Sequence, residues 1–155
     1  MPVRLLLLAV AVPAFVVTGC GGGSDRLTKS EFVTQADAIC AKYERRVRAA
    51  MRGIPAGDSA QLASAIERVL PVIREGNDEL RALSPPENLQ GRYDRWMQIA
   101  DGEVDAAKKL NDALRNNDQP GVQTAFRQLQ QRDADQDRLA REQLGLTGCA
   151  SGSTG

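Results

Sequence analysis

Cysteines and carboxylates are the residues of this chain with the most chemical potential. The sequence contains three cysteines and no histidine. Without an imidazole the chain cannot build Ser-His pairs, the Glu-x-x-His sites of di-iron bundles or histidine-containing zinc sites. It also contains no glycine-rich phosphate loop. We therefore predict that the protein is not an enzyme and has no catalytic residues, no metal site and no cofactor.

Two groups of closely spaced carboxylates are candidates for acid–base work or calcium binding. They are Glu103 with Asp105, and Asp133 with Asp135 and Asp137. Residues two apart on a helix do not face each other, whereas Asp133 and Asp137 share a face. A solvated charged face is the commoner origin of such a pattern, so we assign these groups no chemical role.

A short apolar segment precedes the first cysteine. Residues 1–4 carry one positive side chain, residues 5–17 are almost wholly apolar, and the run ends in Val17-Thr18-Gly19-Cys20. A spanning helix needs about 20 apolar residues, so a run of about 13 fits a secretory signal better. The four-residue segment resembles the lipobox of bacterial lipoproteins. This resemblance implies removal of residues 1–19, a diacylglycerol on the sulfur of Cys20, and a location on the extracytoplasmic face of the cell membrane.

The other two cysteines form a pair once Cys20 is assigned to the lipid. An odd thiol in a secreted protein is unusual, and an extracytoplasmic compartment permits disulfides. We therefore predict a disulfide between Cys40 and Cys149.

Charge and composition define the expected partners and the domain organisation. Lys plus Arg and Asp plus Glu balance at 20 each, so no basic excess indicates nucleic acid. The expected partners are the membrane, through the lipid on Cys20, and an unidentified envelope ligand or protein. Residues 20–27 are predicted to be a flexible tether because residues 21–24 are Gly and Ser. Residues 28–149 form the folded domain, and residues 150–155 are predicted to be a disordered tail.

Heptad patterns predict the first two helices. Thr28-Lys29-Ser30-Glu31 is a capping box, and an apolar stripe with a period of about 3.5 residues follows it. A second stripe begins at Asp58 or Ser59. Pro71 lies inside it and removes a backbone hydrogen bond, which predicts a kink or a short break. Gly76 occupies a core position of this helix, so a bulky group or another backbone should approach it closely.

Two more helices complete the domain. Ser84-Pro85-Pro86-Glu87 predicts the start of the third helix, and Asp118 to Pro120 the start of the fourth. Gly145 can end the fourth in a left-handed cap, with Leu146 folding back on the last turn. Four helices joined by short loops predict an all-α, up-down-up-down four-helix bundle with a kinked second helix and one disulfide.

The mature chain also resembles small secreted or lipid-anchored helical proteins of high-GC Gram-positive bacteria. The resemblance rests on Ala36-Asp37-Ala38-Ile39-Cys40 in the first helix and on Leu144-Gly145-Leu146-Thr147-Gly148-Cys149 after the last. It implies the helical fold and the disulfide but no function.

Two further features have both a structural and a functional interpretation. The apolar stripe of the fourth helix is interrupted after Leu129, where the heptad reaches Asp133 and Gln136. This is either an edge helix with a narrow stripe or a polar layer beside a gap in the bundle. The only tryptophan, Trp96, lies close to Tyr93, either as core packing or as an aromatic anchor in a ligand groove.

Distances along the helices bring these features to one level of the bundle. At a rise of about 1.5 Å per residue, Tyr43, Gly76, Trp96 and Gln136 lie at similar heights. The space at Gly76 either accommodates Trp96 or leaves a gap. The predicted binding region consists of six residues: Trp96, Tyr93, Tyr43, Gly76, Asp133 and Gln136. Two functions remain open, namely a tethered binding module of the cell envelope and a passive structural or spacer lipoprotein without a ligand.

Overall fold

The computed structural model describes residues 26–150, and these residues form four helices and no strand. The helices are α1 (Lys29–Met51), α2 (Ser59–Arg81), α3 (Gln90–Arg115) and α4 (Gln119–Arg138). A short 3₁₀ turn at Glu87–Leu89 leads into α3, and a π-helical segment at Leu139–Leu144 continues α4. This architecture confirms the predicted all-α bundle. The signal segment, Cys20, the glycine-rich part of the tether and the tail from residue 151 lie outside the described residues.

Side-chain caps define several helix ends as the sequence predicts. The Thr28 hydroxyl accepts from the Glu31 backbone N–H at 3.3 Å, and the Glu31 carboxylate accepts from the Thr28 N–H at 2.9 Å. The Asp58 carboxylate caps α2 by accepting from the Gln61 backbone N–H at 2.8 Å. At the end of the π-helical segment Gly145 has a φ of 78°, and the Leu146 N–H donates to the Ala140 carbonyl at 2.9 Å. The predicted capping box and left-handed cap are both confirmed.

The predicted cap at Ser84 is wrong. The 3₁₀ turn begins after Pro86, and no side chain caps it. A residue that precedes a proline rarely adopts helical backbone angles. Because Pro85 and Pro86 are adjacent, both Ser84 and Pro85 are kept extended, and the turn can begin only after Pro86. The loop instead holds the start of the described chain. The Ser84 carbonyl accepts from the Leu27 N–H at 2.9 Å, and Arg26 donates to the Pro85 carbonyl at 2.9 Å.

Helix α2 runs without interruption through Pro71. Of the two expected consequences of this proline, the break therefore does not occur, and the kink stays a prediction. Pro71 is exposed, so the backbone carbonyl that loses its partner lies on the side of the helix that water reaches. This location explains how the helix tolerates the proline.

The bundle is open on one of its four sides. Helix α1 packs on α2, α2 on α3 and α3 on α4, but the backbones of α1 and α4 do not run closely together. The chain after Gly145 crosses this side, and the Cys40–Cys149 disulfide joins it to α1 with the two Cα atoms 5.0 Å apart. The predicted disulfide is confirmed. It attaches the crossing chain to the middle of α1.

The apolar core is divided into two clusters along the bundle axis. The disulfide-end core contains three aromatic side chains, with the Phe32 ring edge-on to Tyr93 at 5.1 Å and Tyr93 stacked on Trp96 at 5.8 Å. The loop-end core comprises Ala63, Ile66, Leu110, Leu114 and Ala125. Of the described residues, α1 contributes side chains to the disulfide-end core alone. Because the core is divided into two clusters and α1 contributes side chains to only one of them, space is left at the middle of the bundle.

Candidate functional site

A cavity of about 320 Å³ occupies the open side of the bundle at mid-height. Its walls come from all four helices, and the crossing chain with the disulfide forms one end. The lining residues are Ile39, Cys40, Tyr43, Glu44, Val47, Ile73, Gly76, Asn77, Leu80, Trp96, Glu103, Gln136, Gly148, Cys149 and Ala150. Most of these side chains are apolar, and the polar ones are few. This composition and size are typical of a small-molecule site.

Four of the six residues predicted for the binding region line this cavity. They are Tyr43, Gly76, Trp96 and Gln136.

The structure places the other two residues elsewhere. Tyr93 is buried between Phe32 and Trp96, and its hydroxyl donates to the Leu80 carbonyl at 2.5 Å. Asp133 is exposed on α4. Asp133 does not line the cavity, but its negative charge raises the pKa of Glu103, which does.

Gly76 makes room for Tyr43. A Cβ atom built at Gly76 would lie 2.8 Å from Cγ of Tyr43, which is too close for an unstrained contact. The Tyr43 hydroxyl donates to Glu79 at 2.6 Å, which fixes the ring across the α1–α2 interface. The expectation of a bulky neighbour at Gly76 is confirmed, but the expectation that this neighbour is Trp96 is wrong. The Tyr43 ring therefore occupies the space left by the missing side chain, and both residues line the cavity.

A polar contact joins α3 and α4 where the apolar stripe of α4 is interrupted. The Gln136 side-chain amide lies 2.9 Å from both carboxylate oxygens of Glu103, in the orientation in which its nitrogen donates. One turn away, the Arg132 guanidinium packs against Gly102, where a Cβ atom would clash with it. The interruption is therefore a polar layer, and it borders the cavity through Glu103 and Gln136.

Glu103 has the most perturbed carboxyl group near the cavity. Burial, together with the smaller effect of the negative charges of Asp133 and Asp137, raises the pKa of Glu103 from 4.5 to about 8. The positive charge of Arg132 opposes them. Desolvation disfavours the charged form of a carboxyl group, so Glu103 is mostly neutral at neutral pH. A neutral carboxyl group can donate a hydrogen bond as well as accept one.

Two buried N–H donors in the lining have no acceptor among the described residues. They are Nε1 of Trp96 and Nδ2 of Asn77, and these residues are only 2% and 8% exposed. An unsatisfied buried donor costs about 1–3 kcal/mol, so such groups are rare in native proteins. Both residues belong to the cavity wall. The two nitrogen atoms themselves have almost no accessible surface, so they lie behind the surface of the cavity.

Asn77 and Glu103 are site residues that the sequence interpretation missed. Asn77 lies seven residues after Leu70, and Glu103 lies seven residues after Trp96. Each is thus a polar residue at an inward heptad position, as Gln136 is with respect to Leu129. This pattern was available in the sequence. Asp105, which is close to Glu103 in sequence, is exposed and contacts Lys108, so it does not belong to the site.

Comparison of this chain with protein-family models, with curated proteins and with solved structures returned no match. Between residues 26 and 150, no three His, Cys, Asp or Glu side chains are grouped so that they could hold a metal ion. Within the same range, no helix has the length and apolar character needed to cross a membrane.

Proposed function

We propose that this protein is a lipid-anchored binding module of the cell envelope that holds a small, mainly apolar ligand. The observation that carries the proposal is the cavity of about 320 Å³, with its apolar walls and its few buried polar groups. A pocket of this kind is the default binding site of a protein without other chemistry.

The anchor is the second part of the proposal. It rests on the likeness of Val17-Thr18-Gly19-Cys20 to a lipobox. The Cys40–Cys149 disulfide is compatible with an oxidising extracytoplasmic compartment. Residues 26 and 27 are hydrogen-bonded to the loop between α2 and α3, at the end of the bundle where α1 begins. A lipid on Cys20 would then hold this end towards the membrane and leave the cavity accessible from the side.

The ligand can be sought by mass spectrometry of protein purified from the native envelope under mild conditions. We expect a small molecule to accompany the wild-type protein. Val47 is half-buried in the cavity wall, so Val47→Phe should fill the space and remove the molecule. Ala49 is exposed on another face of α1, so Ala49→Phe is the matched control and should retain it. If all three proteins are empty, the passive spacer function takes the place of the binding function.

A further inference from the structure

We infer that residues 147–150 form a redox-controlled strap: reduction of the Cys40–Cys149 disulfide by a dithiol releases them from α1 and opens the adjoining end of the cavity. This inference deepens the proposed function by adding a regulation of the same site, and its consequence for a ligand rests on that function. The opening itself is a property of the chain and can be measured without a ligand.

The strap forms one end of the cavity. Gly148, Cys149 and Ala150 belong to the lining, and so does Cys40, to which the strap is bonded. The backbones of α1 and α4 do not run closely together on this side of the bundle. The strap therefore covers space that these two helices leave between them, and its displacement would widen the cavity.

The residue before the strap fixes one of its ends. Leu146 is fully buried in the disulfide-end core, so it holds the chain in place after the last helical turn. Thr147 follows and is exposed. Rotation of the backbone at Thr147 can therefore move the strap away from α1 while Leu146 stays in the core.

The non-covalent contacts between the strap and α1 are weak. The Gly148 N–H donates to Oδ1 of Asp37 at 2.9 Å, and both residues are only partly buried. Ala150, which is 3% exposed, adds the burial of one methyl group. A single hydrogen bond shifts an equilibrium by only about fivefold. The disulfide is therefore the main attachment of the strap.

The disulfide is accessible to a reductant from the cavity. Cys40 and Cys149 are both partly exposed, and both line the cavity. A thiolate that attacks one sulfur breaks the S–S bond and forms a mixed disulfide, which the second thiol of a dithiol then resolves. The dithiol is oxidised to its own disulfide, and its two electrons and two protons convert the two cysteines to thiols. Accessible disulfides are the ones that such exchange reduces most readily.

Trp96 reports the position of the strap. It is the only tryptophan of the chain, it is 2% exposed, and it lines the cavity. Cys40 and Cys149 pack against the core cluster to which it belongs. Release of the strap should therefore expose the Trp96 ring to acrylamide, a water-soluble quencher of its fluorescence.

Hydrogen exchange of the Gly148 amide is a second and independent reporter. This amide is protected by its bond to Asp37 and should exchange faster when the strap is released. The Gly121 N–H donates to Oδ1 of Asp118 at 3.0 Å in an equivalent bond at the start of α4. Its exchange should not respond to the disulfide, so it is the matched control.

The test compares the oxidised and the dithiothreitol-reduced forms of the mature chain with the substitution Cys20→Ala. This chain needs no detergent, and the disulfide pair provides its only cysteines. We expect reduction to raise acrylamide quenching of Trp96 severalfold and to remove most of the protection of the Gly148 amide. The helical circular dichroism signal and the Gly121 amide should stay unchanged.

Two sets of variants separate the strap from other effects of the reductant. Replacing Cys40 and Cys149 with serine should give the open form without any reductant. Asp37→Ala removes the acceptor of the Gly148 N–H, whereas Asp37→Asn keeps an oxygen acceptor. In the reduced protein Asp37→Ala should raise the ratio of open to closed strap about fivefold, and Asp37→Asn should change it little. In the oxidised protein neither variant should increase quenching of Trp96.

The neutral, apolar fluorophore N-phenylnaphthylamine connects the strap with the binding function. We expect the oxidised protein to bind it and the reduced protein to release it about tenfold faster, because the loss of wall contacts acts mainly on the dissociation rate. Equal release rates from the two forms would contradict control of the ligand by the strap.

Unchanged quenching of Trp96 and unchanged exchange of Gly148 after reduction would overturn the inference and leave the binding function intact. Loss of the helical signal on reduction would overturn it too, because the disulfide would then hold the whole fold. If the strap opens but the fluorophore binds to neither form, the opening is supported and the binding function loses support.

Discussion

Replacement of Glu103 by glutamine should stabilise the fold at high pH and change it little at low pH. The unfolded chain loses the Glu103 proton near its ordinary pKa of 4.5, whereas the folded chain retains it up to about pH 8. Below pH 4.5 both states are protonated, and the side chain has no effect on the pH dependence of stability. Between these values the unfolded state binds fewer protons than the folded state, so stability falls as the pH rises. Above about pH 8 the loss is complete.

The magnitude follows from the same two values. The difference between 4.5 and about 8 corresponds to at most about 5 kcal/mol, since one pKa unit is worth about 1.4 kcal/mol. Two features of the structure reduce this limit. Glu103 borders an open cavity and is not fully buried, and Gln136 donates to its carboxylate. We therefore expect Glu103→Gln to be more stable than the wild type by about 1–3 kcal/mol at pH 9.

Urea unfolding monitored by circular dichroism at several pH values measures this effect. Glu87→Gln is the control, because Glu87 is an exposed carboxylate at the 3₁₀ turn. The control should shift the curve by less than about 0.5 kcal/mol at every pH. The reasoning would be refuted if Glu103→Gln were destabilised by a similar amount at pH 5 and pH 9. Glu103 would then be ionised in the folded state and stabilised by Arg132 and Gln136.

Three other variants test the fold and the anchor. Gly76→Ala should destabilise by about 1–3 kcal/mol in urea unfolding, because its Cβ would overlap the Tyr43 ring; Gly91→Ala, at a helical glycine with open space, should instead be neutral or stabilising. Replacing both cysteines of the disulfide with alanine should cost up to about 4.7 kcal/mol, since the bond closes a loop of 109 residues, and an unchanged urea midpoint would contradict this. Cys20→Ala should move the protein from the detergent phase to the aqueous phase in phase partitioning, and an acylated product of this variant would place the lipid elsewhere.

Features that depend on residues close in sequence were predictable. The capping box at Thr28 and Glu31 and the left-handed cap at Gly145 follow from hydrogen bonds within one or two turns. The level of the site was predictable for a similar reason, because the rise per residue is nearly the same in every helix. Tyr43 and Trp96 therefore do line one cavity. The disulfide followed from the parity of the cysteines.

Features that depend on the rotation of a helix about its axis were not predictable. A height along the axis does not specify which neighbour a side chain meets. Gly76 therefore faces Tyr43 although Trp96 was at a suitable height. Heptads on four helices also favour closure on all four sides, yet the backbones of α1 and α4 stay apart. The separation of α1 and α4 depends on polar residues of the other helices. The heptad pattern of a single helix contains no information about those residues.

The polar layer accounts for the opening of the bundle. Asn77, Glu103 and Gln136 lie at one level between two apolar cores. If α1 and α4 closed over them, the carboxyl group of Glu103 would be sealed from water, which is costly without partners. An open side avoids that cost, but it leaves α1 with fewer apolar contacts beyond Tyr43. The disulfide then compensates by joining α1 to the end of the chain.

A purely structural bundle would gain stability from apolar residues at these three positions, since well-packed hydrophobic groups commonly replace buried polar ones at no loss. Local rules of packing fail most often where a function requires the exception. Here the exceptions share one cavity wall. For that reason the binding function accounts for the polar layer, the opening and the disulfide together, whereas the spacer function leaves each of them as a separate cost.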